Sequence, residues 1–235
     1  MLKIRRLAGV LGMAVVAAGC LQKETIHTLY ISPEGGVAWV AVEANVHSDE
    51  SDPGQRMAEE QSYIGPALIG SHRVALGLRA LEPETLVGTT VVRGERPFHV
   101  ITEARFARID RVLERLLIEA GLPARVTLVH DGDRTRLRIQ LDFSRTVVDR
   151  ETPVSALLEE IEHFVFVLPE GTFIAGGGFE VPDRARARLS KEAFDAIDEA
   201  MTARRAIELT LAWNAGSSDS VEGSLSGCRS NERTA

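Results

Sequence analysis

Carboxylates and histidines are the residues of this chain that could carry out acid–base chemistry. Glu43 and His47 lie four residues apart in an apolar stretch, and a carboxylate beside an imidazole can act as acid and base in hydrolysis. Asp49, Glu50 and Asp52 follow at once and could gather a metal ion. An acidic, solvated loop ahead of a helix is the favoured interpretation of these three residues.

Other short motifs point to turns. Asp131-Gly132-Asp133 could begin a cation loop, but the further oxygen ligands at fixed intervals are missing, so a hairpin turn is predicted. Gly176-Gly177-Gly178 lacks the spacing of a phosphate loop and predicts a bulge or an irregular strand. The histidines form no ligand pair, and no hydrolase elbow is present. The sequence therefore predicts no metal site and no cofactor.

The first nineteen residues have the order of a secretory signal peptide. Basic residues at Lys3, Arg5 and Arg6 precede an apolar run, Leu7 to Ala18, and small residues follow. The run would be roughly 18 Å long as a helix, whereas a bilayer core of about 30 Å needs about twenty residues. We therefore expect residues 1–19 to direct export and to be removed.

The segment Val16-Ala17-Ala18-Gly19-Cys20 resembles the lipobox of bacterial lipoproteins, over the first tenth of the chain. The resemblance implies cleavage before Cys20, a diacylglycerol on its thiol and often an acyl chain on its amine. Two or more chains give a stable anchor on the exported side of the membrane. Ala17 departs from the leucine usual there, and an ordinary signal peptide with a chance cysteine is the alternative. Leu21 instead of aspartate resembles the outer-membrane class in bacteria with two membranes.

Charge and cysteine content limit the partners of the mature chain. Removing the signal leaves 24 basic and 34 acidic residues, so the formal net charge is −10, which argues against nucleic acid. No polybasic segment follows Cys20, so the membrane contact would depend on lipid. Cys228, the other cysteine, would be a lone thiol in a tail, residues 216–235, whose composition predicts disorder.

Hairpins alternate with helices in the rest of the chain, which predicts an α+β fold. We expect a largely antiparallel sheet built from successive ββα units, with the helices packed on one face. Residues 20–24 would be the lipidated cysteine and a short tether, and residues 25–215 a single domain. The predicted strands are 25–32, 37–47, 85–93, 98–106, 126–130, 135–143, 163–168, 172–181 and 207–213. The predicted helices are 53–81, broken at Gly65-Pro66, then 109–120, 152–162 and 191–204.

The first hairpin carries the predicted binding face. A turn centred on Glu34-Gly35 would place Trp39 opposite Tyr30 and Leu29 opposite Val40. Alternation along the second strand then assigns one face to the core, namely Ala38, Val40, Val42, Ala44 and Val46. The other face would offer aromatic and hydrogen-bonding groups to a ligand or partner, namely Tyr30, Trp39, Glu43, Asn45 and His47. The alternative is that another element covers Trp39.

These observations favour an envelope lipoprotein that binds a protein or a small ligand near the membrane without catalysis. A catalytic set assembled across a fold need leave no short motif. An envelope hydrolase that uses an acidic residue and a histidine, such as Glu43 and His47, is therefore the alternative. A purely structural protein with a broad, flat contact surface is the third hypothesis.

Overall fold

A computed structural model describes residues 21–144, 157 and 161–215. The strands are β1 (Leu21–Ile31), β2 (Val37–Ser48), β3 (Gly88–Arg93), β4 (Phe98–Phe106), β5 (Ala124–Asp131), β6 (Arg134–Asp142), β7 (Phe164–Val167), β8 (Thr172–Gly177), β9 (Phe179–Asp183), β10 (Arg186–Leu189) and β11 (Ala206–Asn214). The helices are α1 (Pro53–Leu68), α2 (Arg73–Ala80), α3 (Ile109–Glu119) and α4 (Lys191–Thr202). The signal segment, most of the helix expected at 152–162 and the tail from 216 lie outside the described residues.

The chain combines helices and strands, as predicted, but its strands divide between two sheets. Seven strands form one sheet in the order β3-β4-β2-β1-β7-β10-β9, and four form the other in the order β5-β6-β11-β8. The larger sheet is mixed, because β1 and β7 run parallel. One continuous core includes buried side chains of both sheets. The expected single sheet of successive ββα units is therefore not what the chain forms.

The predicted strands 163–168 and 172–181 were expected to form a hairpin, and this expectation is wrong. β7 lies between β1 and β10 in the larger sheet, whereas β8 pairs with β11 in the smaller one. The chain returns to the larger sheet through Gly178, which has a φ of +88°. A Cβ on Gly176 would lie 2.4 Å from the carbonyl oxygen of Thr210, so this glycine permits the close approach of the two backbones.

The β1–β2 hairpin differs by one residue from the predicted register. Leu29 pairs with Trp39 and Tyr30 with Ala38. Because side chains alternate with a period of two, this shift moves the side chains of β2 before Asn45 to the opposite face. The residues expected to be core from Ala38 to Ala44 therefore point outward, and Trp39 points inward with no accessible surface.

A bulge then interrupts β2 at Asn45. The register of β2 shifts there against both β1 and β4, and Asn45 has a φ of +54°. The extra residue reverses the alternation, so that Val46 and Ser48 return to the buried face while His47 points outward.

Two local signals predict the start of α1. The side chain of Asp52 accepts a hydrogen bond of 2.8 Å from the Gln55 amide, and Pro53 occupies the first turn. The helix continues past the expected break at Gly65-Pro66 and ends at Leu68. Pro66 lies in the last turn, where its missing amide costs one helical hydrogen bond without stopping the helix at once.

α3, α4 and the β5–β6 hairpin lie close to their predicted positions. α3 covers Ile109–Glu119, and α4 covers Lys191–Thr202. β5 and β6 join through Asp131-Gly132-Asp133, as expected.

An indole–imidazole hydrogen bond lies at the centre of the core. Trp39 Nε1 donates to Nδ1 of His27 over 3.0 Å, and both side chains are fully buried. Phe164 packs against both rings, with ring centroids 4.8 Å from His27 and 5.2 Å from Trp39. Because an indole nitrogen can only donate, the contact requires His27 Nδ1 to be the acceptor.

We predict that His27→Leu lowers the free energy of unfolding by roughly 1–3 kcal/mol, because the Trp39 donor is then buried without this acceptor. Urea unfolding measures the loss. In the His27→Leu background, Trp39→Phe should cost about 1 kcal/mol less than in the wild type, because the donor is already unpaired. Equal costs in the two backgrounds would contradict a coupled pair.

Candidate functional site

The predicted lipid attachment site, Cys20, lies outside the described residues, but its neighbour does not. β1 begins at Leu21, which pairs with Ser48. Residues 21–24, expected to be part of a tether, are therefore strand. Whatever is attached to Cys20 is joined directly to the larger sheet.

The five residues of the predicted binding face do not share a face. Trp39 and Glu43 are buried on the inner side, at 0% and 1% exposure, whereas Tyr30 is 40% exposed on the outer side. Asn45 forms the bulge, and His47 donates from Nδ1 to the Asn45 carbonyl over 2.6 Å. The register shift and the bulge explain this separation, since each reverses the alternation on which the prediction rested.

The acid–base pair expected from Glu43 and His47 is likewise separated by the bulge, and Glu43 meets a different histidine. Its Oε2 lies 3.2 Å from Nε2 of His72, and its Oε1 accepts a hydrogen bond of 2.5 Å from Lys23 Nζ. His72 comes from the N-cap position of α2, far from Glu43 along the chain. No local spacing in the sequence signals this contact.

Thr102 and Tyr63 complete the surroundings of His72. The Thr102 hydroxyl lies 3.1 Å from His72 Nε2, and the Tyr63 ring stands edge-on at 6.2 Å from the imidazole. Thr102 belongs to β4 and Tyr63 to α1. The contacts of His72 therefore link β2 and β4 to α1 and α2.

The charge of Glu43 depends on its neighbours. Burial alone would raise the pKa of this carboxyl, but the hydrogen bond from His72 and the positive charge and hydrogen bond of Lys23 outweigh it and lower the pKa to about 2. Glu43 is thus an anion at neutral pH. Lys23 keeps part of its side chain in solvent, at 24% exposure, so the pair lies at the edge of the core.

This arrangement suits a structural ion pair better than proton transfer. A general acid or base works best when its pKa lies near the working pH, and Glu43 is far below it. The side chains of Glu43 and His72 are also almost inaccessible, at 2% and 3% exposure. The cluster holds α2 against β2 and β4.

The acidic loop residues are engaged in local contacts. Asp49 accepts a hydrogen bond of 3.1 Å from Gln22, and Glu50 accepts one of 2.8 Å from the Ser51 amide. Asp52 caps α1. Among the described residues, no group of histidine, cysteine, aspartate and glutamate side chains is arranged to bind a metal.

An apolar surface on the outside of the larger sheet was not anticipated. We call it the outer apolar face. It lies on four adjacent strands, β4, β2, β1 and β7, and its side chains are all exposed or half-buried. Two are large and open, with Ile26 50% and Tyr30 40% exposed. Its members are Ile26, Thr28, Tyr30, Ala38, Val40, Val42, Ile101, Val165 and Val167.

The outer side of the smaller sheet is more polar, although Val129 on it is also exposed. Arg134, Arg136 and Arg138 project from β6 at alternate positions, and Arg138 contacts Glu208 of β11 at 3.2 Å. Charged side chains at alternate positions are typical of a sheet face that is exposed to water. Of the two sheets, the larger one therefore carries the more continuous apolar surface, and a continuous exposed apolar surface is typical of an interaction site.

Comparisons with known proteins identify no family. No family model matches the chain, and no curated protein matches it significantly. The NMR structure of the folded domain of the Mycobacterium tuberculosis LppM protein is similar over 87% of this chain and 96% of that domain, with 11% identity and a TM-score of 0.35. A TM-score this low does not establish a shared fold. Within the residues described, no helix has both the length and the hydropathy to cross a membrane.

We predict that Glu43→Gln lowers the free energy of unfolding, by up to about 3 kcal/mol at neutral pH. The folded pKa of Glu43, about 2, lies below the ordinary value of 4.5. The stabilisation is therefore complete above pH 4.5 and is lost as the pH falls towards 2. Urea unfolding of both proteins between pH 7 and 3 measures the difference. Glu24→Gln, at an exposed position of β1, controls for the loss of one charge. An undiminished difference at pH 3 would contradict the assignment.

Proposed function

We propose that this chain is an exported lipoprotein, held on a bacterial membrane by lipid on Cys20, that binds a partner through the outer apolar face without catalysing a reaction. The observation that carries the proposal is the exposure of Ile26 and Tyr30 at the centre of a sheet whose outer side is apolar. An exposed apolar surface with a polar rim is typical of an interaction site.

The rim of this surface is charged. Arg188 contacts Glu180 at 2.7 Å, and Arg186 contacts Asp183 at 2.6 Å, on the β9–β10 side. Glu103 and Arg105 border it on β4. An apolar centre with a charged rim resembles the anatomy of protein–protein interfaces, so an envelope protein fits this surface better than a small polar ligand.

The proposed anchor would bring this surface close to the bilayer. With β1 starting one residue after Cys20, lipid on Cys20 leaves the sheet little freedom to move away from the membrane. In a bacterium with two membranes, Leu21 after the cysteine favours the outer one. The negative net charge still argues against nucleic acid as a partner.

The hydrolase hypothesis would now need Glu43 and His72 as its acid–base pair, in place of Glu43 and His47. Their contact of 3.2 Å is the observation in its favour. Their burial and the lowered pKa of Glu43 weigh against it, so binding is the better-supported function.

The anchor has a direct test. We expect Cys20→Ala to shift the protein from the membrane fraction to the soluble exported fraction, because the residue that accepts lipid is lost. Cell fractionation measures this shift, and mass spectrometry of the mature N-terminus measures the lipid. Cys228→Ala is the matched control and should stay on the membrane. Retention of the Cys20→Ala protein on the membrane would contradict the anchor.

The binding surface is tested with a photoreactive amino acid in intact membranes. We expect a crosslinked species when the probe replaces Ile26 and not when it replaces Val129, on the outer side of the smaller sheet. The two sites are equally accessible, at 50% and 51% exposure, so that only the surface differs. Equal crosslinking at both sites, or none at Ile26, would contradict the proposal.

A further inference from the structure

We infer that the partner on the outer apolar face is a second copy of this chain, packed sheet to sheet about a twofold axis parallel to β1. The inference rests on the proposed lipid anchor, because the anchor selects the axis. It goes beyond that function by naming the partner and the residues that meet.

The composition of the central strands indicates that the outer face is covered in the assembled protein. β7 is apolar at all four positions, Phe164 to Val167, and β2 is apolar at every position from Val37 to Val42. Strands with apolar side chains on both faces are typical of sheets that are buried on both sides. Here the inner side packs into the core, while the outer side retains accessible surface at all nine positions.

The anchor restricts how two copies can meet. When identical faces pack against each other, the twofold axis lies in the plane between them. An axis across the strands would place the two starts of β1 at opposite ends of the assembly. An axis along β1 places both at the same end, so both lipids can enter one membrane. Since Leu21 directly follows Cys20, only the axis along β1 suits two anchored copies.

The charges at the rim are compatible with that axis. Glu103, Val40, Thr28, Val165 and Arg188 form one row across five strands, with Thr28 in the middle. Rotation about an axis through Thr28 brings Val40 opposite Val165 of the second copy, and Glu103 opposite Arg188, which also contacts Glu180 of its own chain at 2.7 Å. Opposite charges thus meet at both ends of the row, and apolar side chains meet within it.

The neighbouring row is compatible as well. Arg105, Ala38, Tyr30, Val167 and Arg186 lie across the same strands. The axis brings Arg105 opposite Arg186 of the second copy, whose own contact with Asp183 at 2.6 Å offsets the like charge. Tyr30 meets its own equivalent at the axis, and aromatic side chains are enriched at such contacts.

A cysteine on the axis provides the test. Packed sheets lie about 10 Å apart, which exceeds the Cα separation of about 7 Å that a disulfide can span. A short bis-maleimide crosslinker is therefore applied to membranes that carry the full chain with Thr28→Cys and Cys228→Ser. Thr127→Cys with Cys228→Ser is the matched control, because Thr127 is also a half-buried threonine, on the outer side of the smaller sheet.

We expect the Thr28→Cys protein to form a species of twice the monomer mass that contains only this chain, at least tenfold more than the control does. Glu103→Arg should reduce that species at least fivefold, and adding Arg188→Glu to the same chain should restore most of it. Thermal unfolding of each variant checks that it folds.

Other outcomes would overturn the inference. A crosslinked species that contains a different protein would show that the partner is that protein and not a second copy. The proposed binding function would then still hold. Equal crosslinking at Thr28→Cys and Thr127→Cys, or a monomer alone in the membrane fraction, would refute the pairing. Absence of the unsubstituted chain from the membrane fraction would refute the anchor and, with it, the choice of axis.

Discussion

The rest of this structure depends on which face of β2 is buried, since both faces of this strand carry apolar side chains. Trp39 and Glu43 point inward, where each finds a partner that suits it. The indole donates to His27 over 3.0 Å, and the carboxylate contacts Lys23 and His72. The opposite orientation would expose the largest side chain of the strand. It would also leave the buried His27 and His72 without these partners, at a cost of about 1–3 kcal/mol for each buried group.

Glu43 shows how a buried charge can join several elements. Its partners come from β1 and from the start of α2, and the Thr102 hydroxyl beside His72 comes from β4. The desolvation of a carboxylate is expensive, and a buried ion pair often only compensates for it. The pair is therefore better understood as fixing where α2 meets the sheet than as a large net source of stability. The burial of the carboxylate and its lowered pKa leave it poorly suited to catalysis.

The orientation of the β2 side chains also affects the outside of the sheet. Ala38, Val40 and Val42 lie at the surface beside Ile26 and Tyr30. These side chains belong to the outer apolar face and are not part of the core. The nearness of β1 to Cys20 ties the orientation of this patch to the proposed anchor. Anchor and patch together restrict the symmetry of any assembly, because two copies in one membrane must keep their lipids at the same end.

Local signals in the sequence were sufficient for many individual elements. The helical stripe from Ile109 to Ala120, the Asp52-Pro53 helix start and the Asp131-Gly132-Asp133 turn depend on neighbouring residues, so their periodicity and turn chemistry predict them. The export signal and lipobox are likewise local patterns, and they remain predictions about residues outside the structure. The face of β2 could not be predicted, because both of its faces are apolar and a one-residue register shift reverses them. The contact of Glu43 with His72 and the separation of β7 from β8 were decided only by the tertiary structure, since each depends on residues that are distant in the chain or on the sheet that a strand joins.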